Sequence, residues 1–454
     1  MANKHATELQ YLNHYYEQDG SQLIVFYGQK NMNMTQMLLD FCQSKPSYYY
    51  VSRACSEREQ LYIWGAELKE KGAFLPDYPA FTDLFYAITE KKSKKKIIVI
   101  EEFQNIVKQS ASFMKELISF MHSKWDEQPV MVILCSTLTG WVENNLVSKI
   151  GEAAYEITGF VKMKELGFHE VTRRFPECSK EYQIETYALL GGNPGLWHYF
   201  DESLSVKENI CRNILKRDAY LHEEAIRIVG SELRETNVYH TILSAIASGK
   251  QKLNDLHIHT GFSRAKISVY LKNLMELELV EKVFSYDSAG RENTQKGVYR
   301  ISNHLVQFYF RYMYPNASRL KTMQPEEFYE TYIAPTFRSF VAPYYVLVCR
   351  EYLDRLNEKK KLPINYSKIG EWVGKVGTID ILAQDEDGNT ICCLCNWEKP
   401  MMLYDDYEWL LFCMEKAKLT ADHICLFSAT RFDEKLILEA KVKKALKLLD
   451  LSAI

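Results

Sequence analysis

Three continuous apolar runs mark the first 140 residues: Leu23-Ile24-Val25-Phe26-Tyr27, Ile97-Ile98-Val99-Ile100 and Val130-Met131-Val132-Ile133-Leu134. A strand buried on both faces reads as such a run without alternation, and segments at helical spacing separate the three. Each run ends on polar or small residues: Gly28, then Glu101-Glu102, then Cys135-Ser136-Thr137. Buried strands alternating with helices predict a parallel α/β sheet that binds its ligand at the strands' carboxyl ends. Residues 1–20 precede it as an amphipathic helix, with Leu9, Leu12, Tyr15 and Tyr16 at helical spacing.

The pattern then changes twice. Residues 161–235 read as helical, interrupted by Gly191-Gly192-Asn193-Pro194-Gly195. From 236 the order is a helix with Ile242, Leu243 and Ile246, a second with Leu253 and Leu256, and a third capped by Ser263 and carrying Ile267, Leu271 and Leu274. Leu279–Val283, a polar loop and Gly297–Ile301 follow, and three helices with a hairpin are the plan of a winged helix over 236–315. The region 325–454 opens with a long helix around 326–355. Strands follow near 366–373, 376–384 and 390–397, a helix at 404–418, and a strand at Ile424–Phe427. That order matches the core of restriction-endonuclease-like folds. The expected domains are thus 1–160, 161–235, 236–315 and 325–454.

Composition narrows the classes. The 454 residues exceed one ordinary core, and 47% hydrophobic with 25% charged residues fits a folded globular chain. A net charge of -3 provides no global basic field, so nucleic-acid contact requires a local patch. The lysine-rich stretch Lys91–Lys96 reads as a solvated loop rather than such a patch. No apolar run reaches the roughly 18 residues of a membrane span, and no signal-peptide pattern opens the chain. Eleven scattered cysteines fit a reducing cytoplasm. Cys392, Cys393 and Cys395 alternate along a strand, which suits core packing rather than a zinc site.

Candidate chemistry gathers at the first sheet's carboxyl edge. A phosphate-binding loop needs Gly-x-x-x-x-Gly-Lys-Ser/Thr: backbone N–H groups cradle phosphates, the lysine neutralises them and the hydroxyl holds Mg²⁺. The segment here is Gly28-Gln29-Lys30-Asn31-Met32-Asn33-Met34-Thr35. Gly28 and Thr35 keep their places, Asn33 stands at the second glycine and Met34 at the lysine. Lys30 is the cation that could reach back. Glu101 sits where a metal carboxylate belongs, Glu102 where a residue polarises attacking water, and Ser136 or Thr137 where a sensor reads the terminal phosphate. ATP and Mg²⁺ are the implied cofactors, with hydrolysis weak or lost.

Together these pieces resemble a family of archaeal and bacterial AAA+-like P-loop ATPases related to the STAND NTPases. Its members carry a winged helix and a C-terminal domain similar to the PD-(D/E)XK nucleases. The resemblance rests on Tyr27-Gly28 to Thr35, Ile100–Gln104, Leu189–Pro194, Tyr299–Asn303, Gln307–Arg311, Thr378–Ile381 and Cys395–Trp397. It implies an AAA+-type parallel sheet with a helical lid, then the winged helix, then a restriction-endonuclease-like α/β domain. Two departures stand out. Ala154–Thr158 offers none of the arginines usual in the family's Tyr-Gly-Arg-Arg-Thr-like stretch. Asp380 fits the first nuclease position, but Leu394-Cys395-Asn396-Trp397 replaces the expected Glu-Cys-Lys-Trp, leaving Asp380 and Asn396 as vestiges without the second carboxylate that metal-assisted cleavage needs.

The third winged-helix helix is the expected DNA reader. Arg264, Ser268 and Lys272 recur every four residues on one face while Ile267, Leu271 and Leu274 pack inward. Arg264 is placed to read a base edge, Ser263 and Lys272 to touch phosphate, with Lys266 on the same helix and Arg291 and Lys296 on the wing. The competing reading is a domain joint with merely solvated charges. Two functions follow: a nucleotide-responsive DNA-binding ATPase relative, or a catalytically silent scaffold for DNA or a protein partner.

Overall fold

The computed structural model describes residues 6–89, 95–124, 128–230, 232–287 and 297–454. Lys91–Lys94 and the wing residues Arg291 and Lys296 lie outside them. The chain packs as two compact units, 1–165 and 166–454.

The first unit is built on five parallel strands: Gln22–Gly28 (β1), Ser47–Val51 (β2), Lys96–Glu101 (β3), Val130–Ser136 (β4) and Gly159–Met163 (β5). Their order is β2-β3-β4-β1-β5, so β1 is an inner strand between β4 and β5 and its carboxyl end lies beside that of β4. Both faces are covered, which is why the strands read as uninterrupted apolar runs. Ile24, Phe26, Ile97, Val99, Met131 and Ile133 face one core, together with Leu12 of the first helix (Ala6–Glu17) and Met34, Met37, Leu38 and Phe41 of the loop helix (Met34–Cys42). Leu23, Val25, Ile98, Ile100, Val132 and Leu134 face the other, with Trp64, Phe85, Phe113 and Phe120. Trp64 stacks on Tyr50 at 4.0 Å and donates to the Tyr48 hydroxyl at 3.0 Å, anchoring β2.

In the second unit the helical segment, winged helix and C-terminal sheet share one apolar core, running from Phe168 through Ile242, Ile267, Phe308 and Phe340 to Phe427. The Gly-Gly-Asn-Pro segment is explained by close approach. Gly191 ends the helix Lys180–Leu190 at φ 63°, and a Cβ on Gly192 would lie 1.8 Å from the Leu166 carbonyl oxygen. The winged helix has helices Thr236–Ala247, Leu253–Thr260 and Arg264–Glu276, then the antiparallel Val280–Val283 (β6) and Val298–Ile301 (β7).

The C-terminal sheet comprises Lys368–Val373 (β8), Thr378–Gln384 (β9), Thr390–Asn396 (β10), His423–Ser428 (β12) and Leu446–Leu449 (β14), ordered β14-β12-β10-β9-β8. Met401–Met402 (β11) and Arg431–Phe432 (β13) form a short separate ladder. The long helix Ala334–Glu358 packs on one face, where Cys393 and Cys425 point. The helices Tyr404–Ala417 and Glu434–Val442 cover the other, where Cys392 points. The long helix therefore starts at 334 rather than 326; short helical turns occupy 325–333.

The edge strand β8 is not left open. The wing's outgoing chain runs along it: the Tyr286 N–H donates to the Glu371 carbonyl at 2.6 Å, and the Val373 N–H to the Ser285 hydroxyl at 2.9 Å. Arg300 of β7 makes a two-pronged bridge to the Glu371 carboxylate at 2.9 and 2.8 Å, and the Tyr286 ring is buried in the C-terminal core. An exposed edge invites foreign pairing, and the wing closes this one. Removing a buried aromatic side chain costs about 3–4 kcal/mol. Tyr286→Ala should therefore lower the urea midpoint of the second unit's unfolding, and an unchanged midpoint would mean that the wing is not held there.

Candidate functional site

Three strand ends of the first unit converge. β1 ends at Gly28, where a Cβ would sit 2.8 Å from Met163 Cβ and 3.4 Å from Met34 Sδ, so only glycine fits. The loop then takes two left-handed residues, Asn31 at φ 68° and Asn33 at φ 59°. Asparagine is among the few non-glycine residues that accept this conformation, so Asn33 supplies the turn expected of the missing glycine. The loop helix starts directly after it, and the N–H groups of its first turn have no partner within the helix. That is the ordinary construction of an anion site.

Thr35 and Glu101 meet. The Thr35 hydroxyl donates to Glu101 Oε1 at 2.6 Å, and the Tyr49 hydroxyl to Oε2 at 2.7 Å. Burial and the hydrogen bond to that carboxylate push the Tyr49 phenol far above its ordinary value, so it remains a donor. Tyr49 was not among the residues expected from sequence. Its signal is the alternation in Ser47-Tyr48-Tyr49-Tyr50-Val51, which turns Tyr48 and Tyr50 into one core and Tyr49 the other way.

Glu102 follows with φ 53°, a left-handed turn that costs about 1 kcal/mol for such a residue. Its Oε1 accepts from the Thr137 hydroxyl at 2.7 Å, and its Oε2 from the Gln104 amide. Of the two sensor candidates, Thr137 therefore reaches the acidic pair. Ser136 is buried and its hydroxyl accepts the Leu138 N–H at 3.1 Å. Cys135 lies behind the site, its thiol pushed up by burial and by Glu101 and Glu102.

Met34 behaves unlike a lysine. It is 5% exposed and packs among Met32, Met37 and Met163. Lys30 is exposed on the loop and Gln29 half-buried. The side chains fit the requirements of a phosphate and a divalent ion in part. Thr35 and Glu101 form the oxygen pair that Mg²⁺ takes, Asn31 and Asn33 shape the cradle, and the position that supplies positive charge is apolar.

The recognition helix has the predicted faces. Ile267, Leu271 and Leu274 are fully buried, while Arg264, Lys266, Ser268 and Lys272 are exposed. Ser263 caps it, accepting the Lys266 N–H at 3.2 Å. Arg264 donates to Asn254, Ser268 bonds back to the Arg264 carbonyl, the Lys266 ammonium lies over the Phe262 ring at 4.7 Å, and Lys272 pairs with Glu276 at 3.6 Å.

Asp380 and Asn396 are structural. Asp380 accepts the Cys395 N–H at 2.8 Å, and burial raises its carboxyl to about 6. Asn396 is buried and bonds to Ser428, Thr430 and both backbone groups of Lys399. Among the described residues no group of three His, Cys, Asp or Glu side chains is placed to hold a metal, and no helix is long and apolar enough to cross a membrane.

Residues 5–200 match a family of ATPase domains predominantly from Archaea, 241–282 the bacterial arsR family of regulatory proteins, and 309–408 archaeal and bacterial proteins of unknown function. The chain thus carries an archaeal-type ATPase domain, an ArsR-type winged helix and a C-terminal domain of that uncharacterised family. An uncharacterised protein of Methanocaldococcus jannaschii is 26% identical over 398 residues, 86% of each chain. Among solved structures, a Walker-type ATPase of Pyrococcus abyssi matches 68% of this chain and 96% of its own at 17% identity, TM-score 0.47. The ORC2 protein of Aeropyrum pernix, in ADPNP–ADP complexes, matches 70% and 93% at 13% identity, TM-score 0.46.

The raised Asp380 carboxyl gives a pH signature. The unfolded chain releases this proton near the ordinary 3.8 and the folded chain near 6, so stability falls as pH rises between those values. Asp380→Asn keeps an acceptor for Cys395 and should flatten that slope. It should add on the order of 1–3 kcal/mol at pH 8, and urea titrations of both proteins at pH 4 and pH 8 measure it.

Proposed function

We propose that this protein is a nucleotide-responsive DNA-binding member of the archaeal ATPase families whose hydrolytic step is slow or lost. The observation that carries this reading is the Thr35–Glu101–Tyr49 constellation beside a loop that keeps phosphate-binding turns while Met34 fills the lysine position. In such a site Gly28 to Thr35 would hold the phosphates of ATP, and Thr35 with Glu101 the Mg²⁺. The ion, when bound, would supply charge neutralisation. Loss of a lysine about 4 Å from a phosphate removes on the order of 4 kcal/mol at an effective dielectric constant near 20. That corresponds to roughly a thousandfold in affinity or rate. Thr137 and Gln104 each donate to one oxygen of Glu102, which fixes the carboxylate's orientation and leaves a lone pair on each oxygen for a water.

Nuclease chemistry is not part of the proposal. Asp380 holds a backbone N–H, Asn396 holds a turn, and the nearby Glu371 carboxylate is taken by Arg300. The burial of Met34 favours a second reading, in which the first unit is a silent scaffold that binds no nucleotide.

Calorimetric titration of Mg²⁺-ATP and Mg²⁺-ADP separates the two. Weak binding, roughly micromolar to millimolar, should disappear in Thr35→Ala and tighten at least tenfold in Met34→Lys. Silence from both the wild type and Met34→Lys would leave the scaffold.

DNA contact through the recognition helix has its own test. Lys272→Ala should reduce the salt dependence of duplex binding by about one counterion, and Arg264→Ala should narrow the affinity difference between duplexes of different sequence, both read by fluorescence anisotropy. An unchanged slope in the first and unchanged discrimination in the second would remove this helix from the interface.

A further inference from the structure

The outward side of the recognition helix Arg264–Glu276 is apolar at its centre. Ile267, Leu271 and Leu274 point into the core, and at about 100° per residue Ala265 and Val269 lie roughly 155–165° round the helix from them. Both are exposed, Val269 to 58%. They sit one turn apart, about 6 Å along the axis. Valine is a poorer helix former than alanine or lysine, and at this exposure it gains little packing within the chain.

Charged side chains border the strip. By the same spacing Arg264 lies on one side of it and Lys266 on the other, with Lys272 a turn further along. Arg264 donates to the Asn254 side chain, and the Lys266 ammonium lies over the Phe262 and Tyr270 rings at 4.7 and 5.7 Å. These partners are neutral, so both cations keep their charge beside the strip. Of the three, Lys272 is the one paired with an acid, Glu276, at 3.6 Å.

Methyl groups between positive flanks match the major groove of a DNA duplex. The groove is about 12 Å wide and admits a helix, its walls are phosphate backbones, and on its floor thymine presents a 5-methyl group. We infer that Val269, with Ala265 beside it, reads a thymine methyl, so that the preferred duplex carries thymine under the centre of this helix. The inference rests on the reading of the helix as a DNA contact and adds a base preference to it. A covered methyl is worth about fourfold in affinity.

Two duplexes of equal length test this without a known site: alternating adenine and thymine, and the same sequence with uracil for every thymine. They carry the same charge and the same hydrogen-bonding edges and differ in the methyl. By fluorescence anisotropy the wild type should bind the thymine duplex about fourfold more tightly or better. Val269→Ser should bring that ratio towards one, and Val269→Thr, which keeps a γ-methyl, should retain most of it. Wild-type thermal unfolding of both variants shows that they fold. Equal affinity of the wild type for the two duplexes would overturn the inference and leave the DNA reading standing. A preference that survives in Val269→Ser would belong to duplex shape and overturn it as well. Binding of neither duplex would overturn both readings, and self-association abolished by Val269→Ser would then assign the strip to a second copy of the chain.

Discussion

The carboxylate of Glu101 holds the first unit's edge together. It ends β3, takes the hydroxyl of the loop helix through Thr35 and the phenol of β2 through Tyr49, and so joins three segments far apart in sequence. Two neutral donors compensate a carboxylate without consuming its charge, which leaves it able to face a cation. The glutamate side chain carries the carboxylate out to both Tyr49 and Thr35. The strain at Glu102 follows from the same arrangement. Consecutive residues on an extended strand point to opposite faces, and the left-handed turn brings the second carboxylate round to Thr137 and Gln104.

Against this retained frame, the replacement at Met34 is selective. A lysine there would have to keep its ammonium out of the apolar layer formed by Met32, Met37 and Met163; a methionine joins that layer and strengthens the loop helix's attachment to the sheet. Met34 therefore adds packing at a position where a lysine would add charge. It does so without collapsing the loop, since Asn31 and Asn33 keep its left-handed turns. Geometry and electrostatics of the site are separable here: the loop's left-handed turns persist with an apolar side chain at position 34.

How much was legible in the sequence follows from where each signal resides. β1, β3 and β4 were readable because burial on both faces makes a run, and the recognition helix because Ile267, Leu271 and Leu274 mark one face at helical spacing. β2 and β5 border the sheet and carry mixed residues, Ser47 to Val51 and Gly159 to Met163, with no run to find. Tyr49 was invisible for a different reason: its partner lies two elements away, and no local pattern encodes a contact at that separation. Lys399 shows the same limit. Its backbone, not its side chain, explains the buried Asn396, so a position that resembles a decayed catalytic lysine is a turn anchor.

The second unit extends this to the wing. In sequence, residues 284–287 are an unremarked polar loop; in the fold they close the open edge of β8, with Tyr286 buried and Arg300 bridged to Glu371. A hairpin held this way is tied to the C-terminal sheet, whereas on the exposed face of the winged helix's third helix Arg264 and Lys272 are held only by exposed partners. Exposed ion pairs and hydrogen bonds of that kind contribute at most about 1 kcal/mol, so both side chains are readily released. The C-terminal domain thus has a mechanical role: it fixes the wing through Tyr286 and Glu371 and carries the outer helices.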